Sequence, residues 1–313
     1  MTNVQFDHLI TYTNASDIDD YLKEYEKQGF IPHEKTVRHE PGLRNGFISI
    51  GPEYLEFCWV ENEELFATAD AVEKLFRSIP HPFGLGIISD DVHDVHNDWT
   101  ARGYTVPEIW SNSPRDITPD APPMWSFQEI PNGLLTGIFS FVMTYHTRPK
   151  GAVKNIKIPP NTIYAISGVS FVTKEPESQA TSWRDLLAPN EQINQTENAF
   201  HVQIGPHMVM WMTPEYYQLS YGSKWVPSSH SFGELAFIHL FASDLHFAKT
   251  MIKQSGRQTF LVKAREVEEL LVAPDGQDGF TFIIQQQPVD TWLHERMKRT
   301  GEKLKLETEE WHS

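Results

Sequence analysis

The chain has 313 residues, 40% of them hydrophobic and 22% charged, with 26 basic against 42 acidic residues and a net charge of −16. Such a field repels phosphate backbones and anionic membranes, which excludes nucleic acid and membrane as expected partners. The length favours two domains.

The opening "MTNVQFDHLITYTNASDIDD" lacks the basic start and long apolar run of a signal peptide. Within it "VQFDHLITYT" reads as a strand, Ser16 as an N-cap, and "DIDDYLKEYEKQGF" as a helix closed by Gly29. Next, "NGFISIGPEYLEFCWV" (45–60) gives strand, Gly-Pro turn, strand. Cys58 there is the only cysteine, so no internal disulfide can form, and a reducing, cytoplasmic setting is expected. An extra helix is predicted over 62–79. "FGLGIISDDVHDVHNDWTARGY" (83–104) repeats the order strand, acidic cap, helix, and "TRPKGAVKNIKIPPN" (147–161) reads as a linker. "AISGVSFVT" and "EPESQATSWRDLLA" start the pattern again. The hairpin "HVQIGPHMVMWMTP" (201–214) then aligns without a gap on "FISIGPEYLEFCWV", placing Gly205 on Gly51. A long aromatic loop at 215–232 precedes a last strand and helix at 237–258, and residues 289–313 read as an amphipathic tail helix. No stretch approaches the roughly 20 apolar residues of a membrane span.

The predicted organisation is thus α+β: four βαβββ modules, near 4–60, 83–146, 163–214 and 235–287. They pair into two domains, 1–146 and 162–288, with curved, mainly antiparallel sheets forming clefts.

One residue conflicts with its surroundings. Glu56 lies in an apolar strand, where an isolated carboxylate costs many kcal/mol unless neutral, paired or metal-bound. Alternation puts Tyr54, Glu56 and Cys58 on one face, opposite Leu55, Phe57 and Trp59. With the opening and closing strands side by side, His8 and Glu56 face each other. An imidazole nitrogen and a carboxylate suit a divalent metal such as Zn, Fe, Mn or Ni. The alternatives are an arginine partner, Arg38 or Arg44, or a solvated edge.

"FDHLITYTNASD", "RHEPGLRNGFISIGPEYLEFCWV" and "GIFSFVMTYHTRP" resemble the glyoxalase-like domain family of the vicinal oxygen chelate superfamily, over roughly residues 5–160. The resemblance implies paired modules around a U-shaped cleft, with a metal held by the His of the first strand and the Glu of the fourth, here His8 and Glu56. "HEPGLRN" stands where the family has H-G-x-G-T-x-N, which implies His39, Arg44 and Asn45 as cleft residues and His39 as a third ligand. Tyr54, Trp59 and "MWSFQEI" are expected to shape the cleft.

Departures from that pattern are as informative. The second module has Gly86 in the place of His8 and no carboxylate in "TGIFSFVMT" (136–144). Gly168 and Met210 fill the two places in the third; in the fourth His239 matches His8, but "GFTFIIQQQ" has no acid. The extradiol dioxygenase pattern, with ligands in the C-terminal pair, is therefore set aside. His93 and His96 are three apart on a charged helix face, while His201 and His207 are expected to pack or to meet solvent. Three functions compete: a metal-dependent enzyme acting on a small oxygen-bearing molecule, with Glu56 as base; a metal-free small-molecule binder; and a second half serving as scaffold or homodimer surface.

Overall fold

The computed structural model describes residues 4–69, 77, 83–112, 122–131, 138–147, 153–196, 198–221, 234–264, 267–274 and 280–307. The first module runs β1 (Val4–Tyr12), α1 (Ile18–Lys27), β2 (Ile31–Pro32), β3 (Leu43–Ile50) and β4 (Glu53–Val60). Asp17, one residue beyond the expected Ser16, caps α1 by accepting from the backbone N–H groups of Asp19 and Asp20. Ile18, Tyr21, Leu22 and Tyr25 form its buried stripe, as their spacing requires.

After α2 (Glu63–Phe66) comes the second module: β5 (Phe83–Ser89), α3 (Val92–Ala101), β6 (Trp110–Asn112), β7 (Trp125–Glu129) and β8 (Phe139–Tyr145). The rest of the helix expected at 62–79, beyond Ala69, lies outside the described residues apart from Arg77. A short β9 (Val153–Ile156) leads to the third module, β10 (Ile163–Val172), α4 (Pro176–Leu187), β11 (Asn194–Thr196), β12 (Ala199–Ile204) and β13 (His207–Met212). Part of the segment expected as a loop at 215–232 is instead helical, α5 (Pro214–Tyr221), and 222–232 lies outside the described residues. The fourth module is β14 (Glu234–Ala242), α6 (Leu245–Gln254), β15 (Thr259–Ala264), β16 (Val267–Val272) and β17 (Phe282–Gln286).

The modules join in pairs. One eight-stranded curved sheet has the order β2-β3-β4-β1-β5-β8-β7-β6, and the second has β11-β12-β13-β10-β14-β17-β16-β15. Antiparallel pairing of β1 with β5, and of β10 with β14, makes each joint. Helix-side residues of both sheets share one core, in which Phe30 meets Phe282, Phe57 meets Phe280 and Phe83 meets Phe171. The opposite faces of the two sheets carry separate clusters and are the faces on which the clefts are expected.

The repeated Gly-Pro turns have a packing reason. Gly51 (φ 66°) and Gly205 (φ 56°) take left-handed backbone, and a Cβ would lie 2.2 Å from the Tyr164 carbonyl oxygen and 2.8 Å from that of Val4. Each turn thus abuts the first strand of the other sheet. Between them is a buried polar chain. His207 accepts from the Phe6 N–H at Nδ1 (3.3 Å) and meets Glu53 through Nε2 (3.2 Å). Arg296 pairs with both Glu53 and Glu302. Burial alone would raise the Glu302 carboxyl, but Arg296 and Lys154 outweigh it and hold it at about 2.

Arg296 comes from α7 (Val289–Thr300), the tail helix. That helix does not continue to residue 313 as expected. Gly301 ends it in left-handed conformation (φ 73°), and β18 (Lys303–Leu306) then pairs in parallel with β9, inside the segment read as linker. Among the described residues no helix is long and apolar enough to cross a membrane.

Candidate functional site

Register brings the predicted pair together. β1 and β4 run parallel with His8 beside Tyr54 and Ile10 beside Glu56, which puts both side chains on the cleft face. Across the module joint, β5 presents Gly86 opposite His8; a Cβ there would lie 2.2 Å from the imidazole Cε1. Glycine is needed because the ring fills that space. The ring stacks on Tyr54 (centroids 4.6 Å, 12°) and meets Phe141 of β8 at 5.6 Å.

Glu56 is only 7% exposed, and among the described residues no arginine holds it. Arg38 pairs with Glu61, and Arg44 with Thr36 and Asp19. Its bonded partner is instead Asn45, whose Nδ2 donates to Oε1 at 2.5 Å. The second oxygen, Oε2, stands 3.5 Å from His8 Nε2, and His39 Nε2 stands 3.8 Å from Oε1. His39 packs edge-on against Trp125 at 5.3 Å.

A third group fixes the imidazole. The β1–β5 register shifts between Phe6 and His8, a bulge that turns consecutive side chains out of strict alternation. Asp7 therefore reaches His8, with Oδ2 2.8 Å from Nδ1. A carboxylate only accepts, so Nδ1 carries the hydrogen. A neutral His8 then points a bare Nε2 lone pair at a carboxylate oxygen. Two acceptors 3.5 Å apart repel unless a positive charge lies between them, either a proton on Nε2 or a cation.

The donor set bears on a metal. Nitrogen and oxygen ligands each about 2.0–2.2 Å from one ion can stand 3.5 Å apart, and an acid on the far nitrogen is the usual support of a ligating histidine. His8 and Glu56 fit a divalent ion as a pair. Among the described residues no group of three or more His, Cys, Asp or Glu side chains is gathered to hold a metal, so His39 has to move to complete the set.

Two expected cleft residues are elsewhere. Arg44 and Trp59 are cross-strand partners on the helix face; Trp59 packs on the central core and donates to the Ala15 carbonyl (3.0 Å), while Arg44 reaches Asp19 beside α1. The alternation that puts Glu56 in the cleft excludes Trp59 from it. Asn45 and Tyr54 are on the cleft face, and Trp125 and Phe127 of "MWSFQEI" pack against its apolar cluster with Phe139, Phe141 and Met143. Sequence reasoning missed Asp7 and Tyr145. The "DH" pair was a visible signal, but alternation sends adjacent residues to opposite faces, and the bulge that overrides it has no sequence signature here.

Other described histidines have ordinary surroundings. His93 is exposed, and His96 bonds to Gln128 (3.0 Å). Burial lowers His33, with Glu56 opposing in part, and its Nε2 meets the Ser49 hydroxyl at 2.8 Å. His239 is buried against the Ser170 hydroxyl.

Comparison with known proteins bears on the fold and the family. No curated protein matches the sequence. Solved structures share the fold at low identity. A hypothetical protein from Staphylococcus aureus has a TM-score of 0.57 and 12% identity, covering 91% of this chain and 100% of that one. A mutant 4-hydroxymandelate synthase from Streptomyces coelicolor has 0.56 and 10%, covering 97% and 98%. The 2,2',3-trihydroxybiphenyl 1,2-dioxygenase of Sphingomonas wittichii has 0.53 and 12%, covering 92% and 93%. The sequence model described as "Glyoxalase-like domain" matches residues 6–187, more than half of the chain. The chain belongs to the glyoxalase-like domain family and has the two-domain vicinal oxygen chelate fold.

Proposed function

We propose that the chain is an enzyme that binds a small oxygen-bearing molecule at the cleft face of the N-terminal sheet, with His8 and Glu56 as its working pair. The observation that supports this reading is His8 Nε2 standing 3.5 Å from a Glu56 carboxylate oxygen while its other nitrogen meets Asp7. Asn45 fixes one carboxylate oxygen and leaves the other free to take a proton from the bound molecule. Tyr54 is held well above its usual range, first by burial and then by Asp7, Tyr145 and Glu56, so its hydroxyl stays protonated. Phe139, Phe141 and Met143 keep water from the acid's surroundings. His8 and Glu56, joined by His39, would hold a divalent ion, which would supply polarisation of a carbonyl or hydroxyl oxygen.

The test is turnover of a panel of small α-oxo and vicinal-diol compounds after repletion with Zn²⁺, Mn²⁺, Fe²⁺ and Ni²⁺. His8→Ala and Glu56→Gln are each expected to lower it by about 10³-fold; undiminished activity in both refutes the reading.

A metal-free binder is the second reading. It is favoured by Phe141 and Met143, which stand on β8 where a partner module would offer ligands. In that case a proton on His8 Nε2 separates the acceptors. Elemental analysis of protein purified without chelator and then repleted discriminates: no retained metal supports the binder.

A further inference from the structure

Among the described residues the second module offers the pair no ligand, yet one of its side chains is tied to it. Tyr145, on β8, donates its hydroxyl hydrogen to Asp7 Oδ2 at 2.7 Å, the same oxygen that takes the His8 Nδ1 hydrogen at 2.8 Å. Tyr145 has one hydrogen and directs it to Asp7. In its 3.0 Å contact with Tyr54 it must therefore accept. Tyr54 is protonated, and its ring is the one stacked on His8. The bonds thus run one way, from Tyr54 to Tyr145 to Asp7, with His8 donating to the same carboxylate. Asp7 is 3% exposed and cannot exchange these partners for water.

We infer that Asp7 and Tyr145 are positioning residues. The β1 bulge aims Asp7 at His8 Nδ1, and Tyr145 reaches across the module joint to hold Asp7 there, so that Nε2 alone is presented to Glu56. This brace adds to the second module's packing of the site through Gly86, Phe141 and Trp125. The inference rests on the reading of His8 and Glu56 as the working pair.

The test is the ¹⁵N NMR tautomer of His8 in the full chain, assigned with His8→Gln. The protein is first dialysed against chelator so that no cation fixes the ring, and measured at about pH 9, above the ordinary imidazole range. Wild type is expected to carry the hydrogen on Nδ1, and Tyr145→Phe and Asp7→Ala to lower that fraction by about twofold or more. If Asp7→Ala does not fold, Tyr145→Phe, which removes one hydroxyl from a half-buried ring, still decides. A wild-type ring protonated on Nε2, or a tautomer unchanged in Tyr145→Phe, overturns the inference. The functional reading fails separately: turnover intact in Glu56→Gln refutes it whatever the tautomer.

Discussion

The two sheets share one backbone plan and differ at equivalent places on their cleft faces. In the N-terminal sheet His8 of the first module faces Gly86 of the second; in the C-terminal sheet Gly168 of the third faces His239 of the fourth. Each joint holds one imidazole, His8 in the space left by Gly86 and His239 bonded to the Ser170 hydroxyl. By register, the place of Glu56 is filled by Met143, Met210 and Gln285 in the other three modules. Gln285 bonds to Glu269 at 2.5 Å, and Tyr217 and Tyr221 of α5 cover the C-terminal face by packing on Phe237. The lesson is in the acceptors. His239 has a hydroxyl partner, and burial lowers its pKa to about 4, so it is neutral and satisfied. His8 has a carboxylate on each side. The same fold position carries a core residue in one sheet and an unbalanced pair in the other.

The sharpest way to break this comparison is to remove each acceptor or imidazole in turn. Glu56→Gln is expected to lower kcat/KM on a substrate from the panel by about 10³-fold, near 4 kcal/mol. His239→Gln is expected to change it by less than about threefold, a limit set by its distance from any reacting group. Comparable losses in both would erase the distinction between the sheets.

The next largest effect concerns what joins them. Arg296→Met leaves the buried Glu53 without its cation and Glu302 with Lys154 alone, so urea unfolding is expected to show a loss of about 3 kcal/mol. A change below about 0.5 kcal/mol, the range of neutral surface substitutions, would show that the tail helix is not part of the clasp.

Acid sharpens the contrast further. His207 and His239 are both depressed, chiefly by burial, so the unfolded chain takes protons near 6.5 before the folded one does. Stability is therefore full above that value and falls as the pH drops. His239, with its folded value about 4, contributes a loss of about 2 kcal/mol by about pH 5. Equilibrium unfolding at the two pH values should show a shallower drop in His239→Gln; an identical drop contradicts the neutral, sealed assignment.

Gly86→Ala gives the smallest effect. Its Cβ would push the His8 ring, costing about 1–2 kcal/mol of stability and lowering activity. In Gly168→Ala the new atom meets the Met208 carbonyl oxygen at 1.9 Å, so stability falls but activity per folded molecule does not. Circular dichroism melts alongside rates separate the two.

Much of this architecture was legible because it is periodic. The shift of 154 residues between the "IGP" hairpins, and the strand-helix starts, repeat the same pattern four times. Glu56 was legible as one charge in an apolar strand. What the sequence left open depends on long-range contact. Asn45, rather than Arg38 or Arg44, bonds to the acid because strand pairing sets it beside Cys58 on the cleft face and turns Arg44 away. Trp59 belonged to the opposite face by the same alternation, yet its aromatic character suggested the cleft. The Asp7 bulge and the β9–β18 pairing arise from the pairing partner, which no local pattern reveals.

The central claim is that His8 and Glu56 would together hold a divalent ion. Metal content by mass spectrometry, on protein purified without chelator and then repleted, tests it most directly. The account predicts about one transition-metal ion per chain in wild type and in His239→Gln, and loss of that ion in Glu56→Gln. Wild type without bound metal, or an ion retained in full by Glu56→Gln, would contradict it.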